Sequence, residues 1–354
     1  MKKNYVMLAF ATLMMASCAN NDLLEDVVNE EAPKAIGFET FSNKISRQVA
    51  DATALNSYHD AFGVWAYKTV DENETLVMEN YKVGYTPTTV DGNTTYSWEY
   101  KNVDNQSLKY WDKQATKYSF YAYAPYAASS VVSISDGKIS IADGEYAANE
   151  NLQSNIVESV ETGFTTSLNS NKFSGTGAGA TNASTDWMIA DDETVATANF
   201  GDEVEEKFKH TMSKLIVILK SDDVAAGTKV EVTSVSVNNV HGKGSFDGTE
   251  WTATDDAKSI TGIVGELKTT SGYYSMEYLL IPSKEGDAAP TFSIEYTVND
   301  DIYTVTNATI TNIAKFEANT CYTLTATIGL EPIVFTAIAS EFEDPDDDPS
   351  VTIQ

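Results

Sequence analysis

The chain has 354 residues, of which 42% are hydrophobic and 11% aromatic, and its 23 basic against 52 acidic side chains give a formal charge of -29. That much buriable surface excludes a disordered acidic tail, and the charge repels phosphate backbones, which argues against nucleic-acid partners. Three His and two Cys leave few groups for acid–base, nucleophilic or metal chemistry near neutral pH, so enzymatic readings start at a disadvantage.

Lys2 and Lys3 precede an apolar run from Tyr5 to Met15, and the small residues Ala16 and Ser17 lead into Cys18, the three-part layout of an export signal. The run is too short to span a bilayer as a helix. Met15-Ala16-Ser17-Cys18 resembles a bacterial lipobox, with Met15 where Leu is usual, and this predicts removal of residues 1–17 and lipidation of Cys18. Acyl chains at ~0.8 kcal/mol per buried methylene would then anchor a soluble domain that does not itself cross the membrane. Asp22, Glu25, Asp26, Glu30 and Glu31 follow. They read either as a solvated linker or, by resemblance, as the surface-export tether of Bacteroidetes lipoproteins. Cys321 is the one cysteine left after Cys18, so no disulfide is expected within a mature chain; its alternating apolar surroundings predict a core position.

Beyond residue 33 the dominant period is two, which predicts an all-β protein. Aromatic or β-branched runs at Phe62–Tyr67, Tyr118–Tyr123, Trp187–Ala190, Leu215–Leu219, Tyr273–Ile281 and Tyr322–Ile328 are bounded by turn-forming residues. Val230, Val232, Val235 and Val237 alternate with polar neighbours, and Phe292–Val298 meets Ile302–Val305 across Asn299-Asp300-Asp301, which predicts a hairpin. Short helical pieces are expected at 48–58 or 104–116, and the Asn/Ser/Thr/Gly-rich stretch 144–185 reads as surface loops. The acidic stretch Gly201–Glu206 followed by the strand pattern from Phe208 places a domain junction near 205.

No GxSxG, HExxH, CxxC, P-loop or EF-hand pattern occurs, and His59, His210 and His241 are not spaced for a shared metal site on one element. No catalytic residue, metal ligand or cofactor is predicted. Gly175–Gly179 reads as loop, and Asp191, Asp192 and Glu193 as solvated charge rather than calcium ligands. The chain has one Arg, Arg47, in the polar stretch Ser42–Gln48, where an exposed loop could enter a protease cleft. Ile36 and Phe38 lie upstream of it, and Ile333 and Phe335 lie near the C-terminus with Ala337 next in phase. Both sets put Ile and Phe on one face of a strand, so they could fill similar pockets. Loss of the first strand would expose a groove that a terminal strand of another subunit could fill.

Taken in order, the lipobox at Cys18, Ala35–Phe41 with Ser46-Arg47, Phe62–Tyr67, Tyr118–Pro125, Phe208–Leu215, Leu280-Ile281-Pro282 and Tyr322–Thr325 resemble the fimbrillin-like (Mfa-like) type V pilins of Bacteroidales. The resemblance implies two tandem transthyretin-like β-sandwich domains, here 48–205 and 206–354, after a lipidated tether and removable first strand at 18–47. It implies a non-enzymatic subunit of a cell-surface fimbria, delivered as an outer-membrane lipoprotein precursor. An arginine-specific protease would cut between Arg47 and Gln48, and a donor strand near 331–342 would join other pilin subunits, in a homopolymer or a mixed fimbria. Adhesion to a host or bacterial surface ligand follows by the same analogy. The family often has Trp near the last strand, whereas this tail has Phe342 followed by acids. The alternative is a monomeric surface lipoprotein that binds glycans on exposed Tyr and Trp; a carboxylate-pair hydrolase is a weaker third reading, because no pair of acids is singled out.

Overall fold

The computed structural model describes residues 33–42, 61–90, 93–100, 106–147, 155–157, 185–190, 192–221, 228–262, 266–267, 273–328 and 334–341. Twenty-two strands account for most of them. In chain order they are β1 Gly37–Ser42, β2 Ala61–Val70, β3 Asn73–Val90, β4 Asn93–Glu99, β5 Lys117–Ala124, β6 Val132–Ser135, β7 Lys138–Glu145 and β8 Asn155–Val157. Then come β9 Met188–Ala190, β10 Glu193–Ala196, β11 Glu203–His210, β12 Ser213–Ser221, β13 Val230–Val240, β14 Lys243–Phe246, β15 Trp251–Ala253 and β16 Lys258–Gly262. The last are β17 Glu266–Leu267, β18 Tyr273–Leu280, β19 Thr291–Val298, β20 Asp301–Thr309, β21 Thr320–Ile328 and β22 Val334–Glu341. The protein is all-β. No α-helix occurs among the described residues, and 106–116 runs instead as an irregular segment with a turn at Lys113–Gln114. The other helical expectation, 48–58, lies outside the described residues, as does most of 144–185.

The first sheet runs β10-β5-β2-β3-β4-β1-β11-β9, and β9 also pairs with β5 through Tyr123↔Ile189 and Ala124↔Met188. That extra pairing closes the sheet through β9 and so covers edge backbone that an open sheet must otherwise protect, while β10 pairs with β5 alone among the described residues. Its interior is an aromatic cluster that includes Phe38, Phe62, Trp98, Trp111, Phe120 and Phe208.

A second pair of sheets, β22-β21-β12-β18-β8 and β16-β13-β19-β20, packs face to face. The reason is the alternation itself: Leu215, Val217 and Leu219 on β12, Val230, Val232, Val235 and Val237 on β13, Phe292, Ile294, Tyr296 and Val298 on β19, and Leu324, Ala326 and Ile328 on β21 all point into one core. β13 keeps its apolar face inward across a register shift between Val232 and Ser234, because the bulge adds the one residue that the sequence spacing adds. The β19–β20 hairpin forms as expected: Val298 faces Asp301, and Asn299 and Asp300 take φ of 48° and 73°, left-handed values that Asn and Asp tolerate. Cys321 is buried, as its pattern predicted. The alternation misleads only for β20, an edge strand whose Ile302 is 71% exposed.

A third cluster joins the outer face of β2 and β5 to the small sheet β15-β14-β7-β6, through Trp65, Tyr123, Ile141, Phe246 and Trp251. Sequence position 205 falls inside β11, which pairs with β1 in the closed sheet, while the sandwich core takes its first strand from β12. β9 pairs with β11, β8 with β18, and β7 with β14, so pairing crosses that position three times more.

Candidate functional site: the seat of the first strand

β1 is an interior strand with unequal flanks. On one side it runs parallel to β11 in six-residue register, from Gly37↔Glu203 to Ser42↔Phe208. On the other, its pairing with β4 is Phe38↔Trp98 alone. The segment just before it is clamped by backbone: Ile36 N–H donates to the Lys109 carbonyl at 2.9 Å, and Trp111 N–H donates to the Lys34 carbonyl at 3.0 Å. The Tyr100 hydroxyl donates to the Ile36 carbonyl at 2.9 Å and accepts from Lys109 N–H at 3.1 Å. Burial pushes the Tyr100 hydroxyl up to about 12, so it stays protonated and remains a donor.

Ile36 and Phe38, the two residues expected to face inward, are both buried. Full burial of such side chains contributes about 1.5–3 kcal/mol each. The Phe38 ring meets Phe62, Tyr100 and Phe120 edge-on, with centroids 5.8, 5.9 and 5.9 Å away. Such pairs add about 0.5–1.5 kcal/mol beyond area burial. Without β1, the closed sheet would have a gap between β4 and β11 with these rings on its floor.

β11 presents Val204, Glu206, Phe208 and His210 inward by strict alternation. Val204 and Phe208 complete the apolar wall. His210 is buried with its Nδ1 2.9 Å from Asp186 Oδ2. Glu206 is fully buried, and neither carboxyl oxygen has a hydrogen-bond partner among the described residues. Burial first, then the charges of Glu193 and Asp192, push its carboxyl up to about 8. Sequence reading missed Glu206 by counting it among boundary acids. The signal was present: in Val204-Glu205-Glu206-Lys207-Phe208 it is in phase with two core residues.

β22 lies at the edge of its sheet, antiparallel to β21 from Thr320↔Glu341 to Thr327↔Val334. Ala337 sits opposite Leu324 and packs in part against the sandwich core, and Phe335 sits opposite Ala326. Ile338 is 61% exposed on the outer face. Cys18, Arg47, Gln48 and Ile333 lie outside the described residues, and so does Asp191 of the acidic trio.

His241 is buried with a carboxylate at each ring nitrogen, Asp255 at 3.2 Å and Asp287 at 3.1 Å. Asp255 also accepts from Gly242 N–H, and Asp287 from Lys284 N–H, so the imidazole ties two loops to the end of β13. All five Trp are buried, which leaves any stacking platform to the tyrosines.

The fold and this seat define a class of β-proteins in which an N-terminal strand completes a closed sheet and a C-terminal strand lies on an open edge. The family model described as fimbrillin-like matches residues 49–340, and the chain belongs to that family, a structural rather than an enzymatic one. The match begins two residues after Arg47 and so omits β1. The fimbrium subunit Fim1C of Phocaeicola vulgatus is 25% identical over 261 residues, covering 72% of this chain. The chain spans 62% of that relative's length. Among solved structures, a candidate cell adhesion protein from Bacteroides ovatus superposes with a TM-score of 0.53 at 17% identity, over 88% of this chain and 99% of that one. A fimbrial protein from Bacteroides vulgatus gives 0.50 at 19% identity, over 88% and 100%. These likenesses concern the fold.

Proposed function

We propose that the chain is a structural subunit of a cell-surface fimbria, exported as an outer-membrane lipoprotein lipidated at Cys18 and cut by an arginine-specific protease between Arg47 and Gln48. Residues 18–47 then leave with β1, and the gap between β4 and β11 takes a C-terminal strand from the next subunit. Head-to-tail insertion is heterologous and does not close, so it yields a filament. In this reading the two packed cores belong to two transthyretin-like sandwiches, and the filament supports adhesion to a host or bacterial surface ligand. The observation that carries it is the station of β1: an interior strand, upstream of the chain's one arginine, whose removal would open an aromatic groove in an otherwise closed sheet.

The sequences support one register. Ile36-Gly37-Phe38-Glu39-Thr40-Phe41 and Ile333-Val334-Phe335-Thr336-Ala337-Ile338 align with Ile, Phe and a small residue on the inner face and an apolar residue at the outer sixth position. Pro332 then falls at the station of Ala35, where Ile36 N–H and the Lys34 carbonyl make the bonds, so a proline costs no hydrogen bond. Backbone pairing along β11 would supply affinity, and Ile333, Phe335 and Ala337 would fix register.

The test is intact mass and N-terminal sequencing of cell-surface material from the wild type and from Arg47→Ala, with an SDS ladder assay. A mature chain beginning at Gln48, with ladders that vanish in the variant, is the expected result. A lipidated chain still beginning at Cys18, with no ladder, would sink it and leave the anchored glycan binder ahead.

A further inference from the structure

Glu206 has no use in the reading above. It stands on the inner face of β11 directly opposite Thr40 of β1, two residues from the Phe38↔Val204 pair. Its carboxyl is sealed from water, with no donor for either oxygen among the described residues. An unpaired buried carboxylate is costly enough that such a group is held as the neutral acid instead.

We propose that Glu206 couples occupancy of the β1 station to a proton: a strand seated beside β11 keeps the carboxyl neutral, and departure of that strand lets it ionise by releasing one proton to solvent. This deepens the strand-exchange reading, because the station in question is the one a donor strand would fill. Any strand in that place covers the same carboxyl, so seating takes up a proton whichever chain supplies it.

The charged surroundings favour coupling of this sign. From the segment of β10, Asp192 and Glu193 bear on Glu206, and both oppose its ionisation. On β5 Tyr118 lines the same interior, but its hydroxyl accepts from Asp112 N–H, and β9, Met188–Ala190, carries no titratable side chain. On β11, His210 faces inward but is engaged by Asp186, while Glu205 and Lys207 are exposed on the opposite face and lie 3.7 Å apart. On β1, Glu39 is exposed. The seated state holds the carboxyl up to about 8, against 4.5 for the ordinary group. The seated state therefore binds the extra proton between those values; its stability is complete in acid, falls as pH rises through that window, and levels off above it.

The test uses the intact, uncut chain and hydrogen exchange read by mass spectrometry, with rates corrected for intrinsic exchange. Protection of Gly37–Ser42 is expected to fall between pH 5 and 8 by up to about tenfold per unit. Protection of β12 and β21 should hold level. In Glu206→Leu and Glu206→Gln the β1 protection should lose this slope. A wild-type β1 protection flat with pH, an equal slope in both variants, or β12 and β21 falling in parallel with β1 would overturn the proposal. The two readings fail separately: ladders with a flat β1 profile would remove the proton coupling alone, and a sloped profile without cleavage or ladders would remove the strand exchange alone.

Discussion

In sequence, β1 and β22 each complete an Ile-x-Phe spacing whose Ile is the residue just before the strand, yet the two strands occupy contrasting stations. β1 is enclosed on both flanks, its Phe38 ring meets three aromatic rings, and a tyrosine hydroxyl fixes the backbone just before it. β22 has one neighbour, and among its described side chains Ala337 packs in part against the sandwich core while Ile338 is exposed. The difference teaches that similar strand sequences are worth very different amounts according to what the receiving surface supplies. The value lies in the seat: Phe62, Tyr100, Phe120 and the open backbone of β11 would reward whichever strand lies there, whereas at the edge beside β21 the described side chains contribute the partial contact of Ala337.

The sharpest way to break this comparison is Phe38→Ala. Removing a ring buried among three others leaves a cavity, and about 3–5 kcal/mol of unfolding free energy should be lost in a urea titration. A loss below about 1 kcal/mol would mean that the aromatic seat does not hold β1. Tyr100→Phe is the subtler change, because it keeps the ring and deletes the hydroxyl that serves both the Ile36 carbonyl and Lys109 N–H. Leaving the buried Ile36 carbonyl and the half-buried Lys109 N–H short of a partner should cost about 1–3 kcal/mol. Exchange protection should drop first at Ile36 and Lys109, and a uniform loss across the sandwich strands would contradict the local role given to Tyr100.

The sequence made the strands legible where burial is one-sided. The runs on β13, β19 and β21 alternate because one face meets a core and the other is more open, the unbroken Leu215–Leu219 run of β12 reflects burial on both faces, and the Asn299-Asp300 turn declares its own geometry. Ile36 and Phe38 were legible for the same reason. The closure of the first sheet was not, because β9 reaches β11 and β5 through a few residue pairs with no pattern of their own. Nor was the parallel pairing of β1 with β11, which joins residues more than 160 positions apart. Such long-range pairing depends on topology, and local periodicity is silent about it. Glu206 was hidden by chemistry: a carboxylate is read as solvated by default, and only its phase with Val204 and Phe208 set it apart.

The smallest effect belongs to β22, and it tests the other half of the comparison. Ile338 points away from the sandwich core, since its neighbour Ala337 faces Leu324 across the pair and side chains alternate along a strand. Its burial at 61% exposure is slight, so Ile338→Ser should change unfolding free energy by no more than about 0.5 kcal/mol. A loss comparable to that of Phe38→Ala would show that the outer face of β22 is covered within one chain, and the contrast between the two stations would collapse. A silent substitution in the isolated chain that nonetheless weakens SDS ladders would locate the value of Ile338 in contact with another subunit. That pairing of outcomes separates what β22 does for its own fold from what it does for assembly.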